Sequence, residues 1–346
     1  MPCLTRYSLS DQRHHQPWYI APVKPTFPTS AHQNNFRNPR SKRTHDAHSS
    51  TKLHIIDLAY SMLREQMQEV DLLILGAGWT STFLIPQLKR EGITYAATTT
   101  TGHDNTIPFK FDPYSIDPEP YKRLPSAKTV LVTFPLKGQG QSMTIVGLYR
   151  NAHGAENNWI QLGVTSIWNQ LPDDWSTEDS PYDKSDERGM AEDELMIEFG
   201  GCSLNLCGLY GGTRVPRTWL PRLGQSKEDV KKRGAVHFVH GEDVARAIVA
   251  THRNFTPGKR WLIADLRVYD WYDLIMSFSA MTEEQEDAAS VEDRALRQQF
   301  SKWVGELMIE EGVRALPREM NQLGRKLDSR GFWLHHGLWP KHPRLA

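Results

Sequence analysis

One strand, turn and helix constrains the fold of this chain more than any other feature of its sequence. The apolar run VDLLIL at residues 70–75 is typical of a buried parallel strand, and Gly76 stops it. Apolar residues at helical spacing follow over residues 80–91. The sequence GAGWTS at residues 76–81 therefore lies where a strand ends and a helix begins. In that context a G-x-G-x-x-G pattern predicts that the turn binds a dinucleotide.

Each position of this turn has a physical role. Gly76 permits the tight turn, and Gly78 lets the backbone approach a pyrophosphate that the helix N-terminus holds. Ser81 occupies the third glycine position, where a small residue still allows the helix to pack closely on the strand. We expect cofactor contacts from this turn, with Trp79 and Thr80 included. A glycine-rich turn without a ligand is the alternative.

The end of the second strand predicts which cofactor binds. An Asp or Glu about 20 residues after the turn would bind the adenosine ribose of NAD. Here the strand ends in four threonines, at residues 98–101, and we expect Thr98 and Thr99 to face the cofactor. Hydroxyls without a carboxylate tolerate a 2′-phosphate, so the sequence favours NADP, although no Arg stands beside them and NAD stays the alternative.

The rest of the chain alternates strands and helices. Strands are predicted at 93–98, 129–134, 158–167 and 203–210, with helices at 139–152 and 186–199 between them. This order predicts a doubly wound (Rossmann) α/β parallel sheet at residues 53–215. Residues 216–346 are predicted to form a small, mostly helical lobe that completes the sheet and covers the substrate site, with helices at 242–251, 269–281, 291–312 and 318–329 and a strand at 261–264.

Composition excludes several classes of protein. The net charge is zero, and no apolar run approaches the length of a membrane helix, so we expect neither nucleic acid nor membrane as a partner. Residues 1–52 carry eight Lys/Arg and two Asp/Glu, have no apolar period, and are predicted to be a disordered basic tail. Cys202 and Cys207 are predicted to be reduced core residues, since three cysteines form no disulfide framework. These features predict a cytoplasmic protein, or a mitochondrial one if the tail is a transit peptide.

Several short motifs, in order, resemble the extended short-chain dehydrogenase/reductase superfamily. They are the glycine turn, TFP at 133–135, TSIW at 165–168, LCGLYG at 206–211 and VHGEDVA at 239–245. Within that superfamily the chain is similar to the atypical, YeeZ-like NAD(P)-binding proteins and to NAD-dependent epimerases and dehydratases. The resemblance implies that Thr133, Phe134 and Pro135 flank the nicotinamide ribose, and that Ser166 hydrogen-bonds a substrate oxygen.

The chain departs from this superfamily at the residues that move the proton. Its reductases use Tyr-x-x-x-Lys, with the Lys four residues before a frequent Glu; the phenol exchanges the proton and the Lys holds the ribose. Anchoring the Glu on Glu192 places Arg188 at the Lys position and Lys184 at the Tyr position. Tyr182, two residues earlier, is the nearest phenol. Tyr182, Lys184 or a water held by Ser166 would have to supply the proton, and a merely solvated helix start is the alternative.

Three further groups of residues are candidates for contacts. Tyr210 and Arg214 stand at the carboxyl end of a strand, where substrates of such folds bind, and are predicted substrate contacts. Asp243 is predicted to be a helix cap or dipole partner rather than a catalyst. His335, His336 and His342 lack the spacing of dedicated ligands, so no metal site is predicted.

Two classes of function follow from these observations. The first is an NAD(P)-dependent oxidoreductase or epimerase acting on a small carbonyl, alcohol or sugar-like substrate, in which the cofactor transfers hydride. The second is a non-catalytic NAD(P)-binding protein that reports the state of the cofactor to a partner. The missing Tyr favours the second class, whereas Ser166 and the C-terminal lobe favour the first.

Overall fold

A computed structural model describes residues 69–169, 175–282, 284–285 and 289–345. The predicted basic tail lies outside the described residues. Among the helices of the described residues, none is both long enough and apolar enough to cross a membrane.

The core is a parallel sheet of seven strands, as the doubly wound prediction requires. In chain order the strands of the described residues are β1 Val70–Leu75, β2 Tyr95–Thr99, β3 Ile107–Pro108, β4 Ala127–Val132, β5 Asn158–Val164, β6 Trp175–Ser176, β7 Cys202–Leu206, β8 Gly208–Tyr210, β9 Ala235–Val236, β10 Phe238–His240, β11 Arg260–Ile263, β12 Tyr269–Asp270 and β13 Lys326–Leu327. The central sheet has the order β11-β7-β5-β4-β1-β2-β3. Its order reverses between β1 and β4, so a crevice opens at their carboxyl ends.

Helices cover both faces of the sheet. In chain order they are α1 Ser81–Arg90, α2 Glu119–Lys122, α3 Gln141–His153, α4 Glu187–Phe199, α5 Lys227–Lys231, α6 Gly241–Arg253, α7 Trp271–Ser279, α8 Val291–Glu310 and α9 Arg330–His335. Leu72 and Ile74 of β1 pack with α1, α6 and α9, whereas Leu73 and Leu75 pack with α3 and α4. This alternation along one buried strand produces the predicted double winding.

The predicted strand at 203–210 is two strands in different sheets. β7 pairs with β5 and β11, whereas β8 leaves the central sheet and pairs in parallel with β10. The break falls at Cys207, whose amide still bonds to the Ile263 carbonyl at 3.1 Å, and at Gly208, whose amide bonds to the His237 carbonyl at 2.9 Å. A Cβ at Gly208 would lie 2.9 Å from the ring of Phe238, so the new pairing needs glycine. Cys207 and Cys202 are free thiols and buried, as predicted for core cysteines.

The C-terminal part supplies both a strand of the sheet and a separate apolar cluster. β11 forms the edge of the central sheet beside β7, and α7 and α8 pack together around Tyr272, Phe300 and Val304. The helix predicted at 318–329 is wrong. A 3₁₀ turn covers Met320–Gln322, Gly324 adopts a φ of 71°, and Lys326–Leu327 pairs with β6. The left-handed backbone at Gly324 ends helical propagation, and long-range strand pairing then fixes the next residues.

A buried ion pair joins the C-terminal segment to this lobe. The Arg318 guanidinium donates to both carboxylate oxygens of Asp270, with Nη2 2.6 Å from Oδ1, and both residues are almost inaccessible to solvent. The Asp270 carboxylate also accepts from the Tyr272 amide and so caps α7. The carboxylate therefore depends on Arg318 for charge balance.

We expect Arg318→Met to destabilise the protein by about 3 to 5 kcal/mol, because it leaves the Asp270 carboxylate buried without a counter-ion. Arg330→Met is the matched control, since the Arg330 side chain is 70% exposed where it meets Asp328. Urea denaturation should show a clearly lowered midpoint for the first variant and an unchanged one for the second. Equal midpoints would contradict this account of the pair.

Candidate functional site

A cavity of about 580 Å³ opens at the carboxyl ends of the central strands, where the strand order reverses. Its lining contains ten of the residues predicted from the sequence: Gly76, Gly78, Trp79, Thr80, Thr99, Thr133, Phe134, Pro135, Arg188 and Arg214. Ser81, Thr98, Ser166, Tyr182, Lys184 and Tyr210 are not part of this lining. The lining also contains residues that were not singled out from the sequence: Ala77, Thr100, His103, Leu162, Gly163, Val164, Leu206 and Leu209.

Hydroxyls at the ends of β2 and β4, the two strands on either side of β1, hold the turn after β1. The Gly76 amide donates to Thr98 Oγ1 at 3.0 Å, and Thr133 Oγ1 donates to the carbonyls of Leu75 and Gly76. Gly76 has a φ of 93°, and a Cβ there would lie 2.8 Å from Thr133 Oγ1. Glycine is therefore required by backbone conformation and by space. Thr98, predicted to face the cofactor, instead anchors the turn from below.

The second glycine has open space in front of it. A Cβ at Gly78 would meet no protein atom within 4 Å, although the residue lines the cavity. In the described part of the chain, the amides of Trp79 and Thr80 donate to no protein acceptor. They stand at the start of α1, where unpaired amides and the helix dipole favour an anion. Ser81 Oγ, one residue further, is buried and has no hydrogen-bond partner among the described residues.

An arginine stacks on the tryptophan of this turn. The Arg214 guanidinium carbon lies 4.3 Å from the Trp79 ring centroid, and Trp79 Nε1 donates to the Gly211 carbonyl at 3.2 Å. The two contacts join the turn after β1 to the loop after β8. Arg214 is exposed on its other side and lines the cavity, so its charge is available to a ligand.

A second arginine lines the cavity from α4. Asp186 caps this helix by accepting from the amides of Arg188 and Gly189, which fixes the direction of the first turn. Arg188 Nη2 donates to the Leu162 carbonyl at 3.0 Å, whereas Nε is buried and has no hydrogen-bond partner among the described residues. Burial lowers the pKa of Arg188. Because an arginine still stays protonated at neutral pH, a half-buried cation lines the cavity.

Beneath Arg188, buried polar groups surround the Glu192 carboxylate. Glu192 accepts from the Val164 amide at 3.1 Å, from Asn205 Nδ2 at 2.8 Å and from Arg260 Nη1. A Cβ at Gly163 would lie 2.6 Å from Glu192 Oε1, so β5 passes directly over this carboxylate. A glycine within a buried strand was the signal in the sequence for such a close approach.

The predicted phenol is bound within this network and does not line the cavity. Tyr182 donates to Asp193 Oδ1 at 2.5 Å, and its ring lies 4.6 Å from the Arg260 guanidinium carbon. Burial and the hydrogen bond to Asp193 raise the pKa of Tyr182. The phenol is therefore held as a neutral donor to a carboxylate, away from the lining of the cavity.

The other two predicted proton donors are exposed. Lys184 Nζ lies 5.6 Å from the centroid of the Tyr182 ring. Ser166 follows Thr165 and Val164 at the end of β5, and its Oγ donates to Asp186 Oδ2 at 3.4 Å. Ser166 therefore lies two residues after Val164, which lines the cavity.

Tyr210, a predicted substrate contact, packs beside His240 and donates to the carbonyl of Arg344 at 3.1 Å. Its hydroxyl is therefore used by the C-terminal segment. The Asp243 carboxylate also binds the C-terminal segment, and it does not cap α6. It is buried and accepts from the amides of Lys341 and His342, while His240 caps the helix.

Ligand atoms of His240, Glu242 and His342 lie within 4.8 Å of one another, a grouping that the sequence spacing did not indicate. The two imidazoles are stacked, with centroids 3.7 Å apart, and Glu242 Oε2 is already 2.6 Å from Lys341 Nζ. Lys341 and His342 lower the pKa of Glu242 to about 2. The lysine thus supplies a positive charge to this carboxylate, and the absence of a metal site stays a prediction.

The end of β2 presents hydroxyls and one imidazole. Thr99 Oγ1 bonds to Thr106 Oγ1 at 2.7 Å and accepts from the Gly102 amide, which closes the loop after the strand. Thr100 and His103 line the cavity beside Thr99. Asp104 bonds to His103 Nδ1 but is not part of the lining. No local pattern marked His103, because the return of the loop after β2 places it.

Comparison with known proteins identifies the architecture. No protein-family model and no curated protein matches the sequence. Among solved structures, a candidate NAD-dependent epimerase/dehydratase from Methylobacillus flagellatus is similar at a TM-score of 0.53 and 14% identity, over 80% of this chain and 94% of that one. Vestitone reductase from alfalfa is similar at a TM-score of 0.52 and 15% identity, over 79% and 93%.

A dTDP-glucose 4,6-dehydratase from Streptomyces venezuelae, solved with NAD bound, is similar at a TM-score of 0.50 and 13% identity, over 79% of this chain and 92% of that one. The likeness extends over nearly the whole length of each of these proteins. The chain therefore shares the fold of these proteins, as its resemblance to the extended short-chain dehydrogenase/reductase superfamily predicted.

Proposed function

We propose that the protein binds NAD(P) in the cavity at the ends of β1 and β4 and is an NAD(P)-dependent oxidoreductase or epimerase. The observation that carries this proposal is the composition of the lining. Two arginines and a histidine contribute to it, and the described residues that line it include no carboxylate. A dinucleotide brings two phosphate charges to this surface, and free amides at the start of α1 would receive them.

The residues of the cavity fit the parts of such a cofactor. Gly78 leaves the space that a pyrophosphate needs, and Arg214 stands beside it on the Trp79 ring. Arg188 lines the cavity, where its guanidinium would donate to a hydroxyl or phosphate oxygen. Phe134 and Pro135 supply an apolar wall. When bound, the nicotinamide ring would give or accept hydride.

The substrate that we propose is a small carbonyl, alcohol or sugar-like molecule. The proton in such a reaction needs a donor near the cavity, and Tyr182 is already bound to Asp193. Ser166 is the remaining candidate that continues directly from a strand lining the cavity. We therefore assign to Ser166, with a water molecule, the role of holding the substrate oxygen and its proton.

A second function is favoured by the same observation on Tyr182. A protein that binds NAD(P) and reports its state to a partner needs the anion-binding turn but no proton donor. The engaged phenol and the Arg188 position, occupied by a group too basic to exchange protons, favour this reading. Turnover measurements separate the two functions.

We expect Gly78→Val to weaken NADPH binding at least 100-fold, because its side chain would fill the space proposed for the pyrophosphate. Gly147→Val on the exposed face of α3 is the matched control, since a Cβ there also meets nothing within 4 Å. Titration of Trp fluorescence measures affinity, and circular dichroism checks the fold. Unchanged affinity in a folded Gly78→Val protein would make the turn purely structural.

We expect NADPH to bind at least as tightly as NADH, because the cavity lining at the β2 end lacks a carboxylate and contains His103. His103→Gln should weaken NADPH binding by about 2-fold to 12-fold, the range of one hydrogen bond, and leave NADH binding unchanged. A preference of the unmodified protein for NADH above about tenfold would refute the NADP assignment.

If the protein turns over a substrate, Ser166→Ala should reduce kcat by about 10²-fold to 10⁴-fold, the usual contribution of a proton-transfer group. Tyr182→Phe and Lys184→Met should retain kcat, because Tyr182 is bound to Asp193 and neither residue continues directly from a strand that lines the cavity. Steady-state assays over panels of carbonyls and alcohols provide the measurement. Loss of kcat in Tyr182→Phe alone would return the role to the phenol, and NADPH binding without any turnover would support the sensor.

A further inference from the structure

A second cavity, of about 500 Å³, lies between two segments of the C-terminal part, residues 231–235 and 318–325. The backbones cross closely there, since the Ala235 amide donates to the Leu323 carbonyl and a Cβ at Gly234 would lie 2.2 Å from that oxygen. Five of its lining residues are cationic, and the described lining includes no Asp or Glu: Lys231, Lys232, Arg233, Arg318 and Arg325. We call this space the basic cavity.

Not all of these charges are equally available. Arg318 is neutralised by Asp270 behind it. Lys231 Nζ lies 4.0 Å from a Glu311 oxygen, at the limit of an ion pair. Arg233 Nε and Nη2 both donate to the Leu223 carbonyl. This contact satisfies two donors but brings no negative charge. Within the described residues, Lys232 makes no ion pair, although its charge helps to lower the pKa of Asp229. The described lining therefore carries an excess of positive charge.

Arg325 is the most informative of the five. Its side chain is half-buried, and burial lowers its pKa. Nη1 donates to the Thr165 carbonyl at 2.8 Å, yet the described residues offer this guanidinium no carboxylate. A charge withdrawn from water is costly unless a counter-ion compensates it. A small anion in the cavity would supply that counter-ion.

We propose that the basic cavity binds a phosphate-type oxyanion through Arg325 and Lys232. The source is either free orthophosphate or the phosphoryl group of a small organic phosphate, since both present the same tetrahedral oxygens. A guanidinium group can bind two oxygens of one phosphate at once, through two parallel hydrogen bonds. Asn169 and Gln322 also line the cavity and add amide donors. This site is distinct from the cavity proposed for NAD(P), because the two share no lining residue.

The site is connected to the proposed active centre through one loop. The segment 165–169 runs from the end of β5, whose Val164 lines the first cavity, to Asn169, which lines the basic cavity. Arg325 holds this loop at Thr165, next to Ser166. An anion that binds Arg325 would therefore act on the loop that carries the proposed proton-holding residue.

Isothermal titration calorimetry with sodium phosphate tests the proposal on the full chain in a chloride buffer of low ionic strength. We expect saturable binding of one phosphate per chain. Lys232→Gln and Arg325→Gln should each weaken it about tenfold or more, or roughly 1.4 kcal/mol. Lys89→Gln and Arg90→Gln on the exposed end of α1 are the matched controls and should change the affinity less than twofold. Because Lys232 is exposed, its variant stays informative even if Arg325→Gln does not fold.

Further titrations locate the anion and identify its source. Phosphate affinity should persist at saturating NADH, which has no phosphomonoester, and in Gly78→Val, whether or not the proposed NAD(P) site is real. Tighter binding of phenyl phosphate than of orthophosphate would indicate an organic phosphate, and the reverse order would indicate the free ion. No saturable heat with either probe, equal losses in the control variants, or loss of phosphate binding in Gly78→Val would each overturn the proposal.

Discussion

The cavity at the carboxyl ends of the central strands depends on the backbone turn after β1. Two hydroxyls hold this turn from opposite sides. Thr98 accepts from the Gly76 amide, and Thr133 donates to the carbonyls of Leu75 and Gly76 where the turn begins. Since strand order reverses between β1 and β4, no connecting helix closes the space above their ends. The protein's own hydrogen bonds thus hold the turn, and the residues at the start of α1 line an open cavity. Preorganisation of this kind reduces the entropy lost on binding.

A second constraint comes from the buried charges under β5. Glu192 and Arg260 are both almost inaccessible, and such a pair is stable only when its remaining oxygens and donors are satisfied. Asp193 provides the second carboxylate for Arg260, and the Tyr182 phenol donates to Asp193. The phenol nearest to the expected catalytic position therefore completes a structural network.

The sequence predicted correctly those elements that depend on local interactions, and it failed where interactions between distant residues decide the structure. β1, its turn and α1 were predicted almost to the residue, because burial on both faces, a glycine at positive φ and helical spacing are all local signals. The strand at 203–210 was predicted too long, since pairing of β8 with β10 fixes its break at Cys207. The helix at 318–329 failed for a similar reason. Pairing of Lys326–Leu327 with β6 overrides helical spacing there.

The sequence by itself determined the fold class, the place of the glycine-rich turn and most of the cavity lining. These follow from hydrophobic period and from glycine, which act within a few residues along the chain. Only the tertiary structure decided that the Tyr182 hydroxyl binds Asp193, that the Tyr210 hydroxyl binds the C-terminal segment, and that His103 lines the cavity. It alone brought Arg325 to the Thr165 carbonyl, 160 residues away in sequence. Such partners are set by strand order and loop return, whose energies depend on contacts between distant parts of the chain.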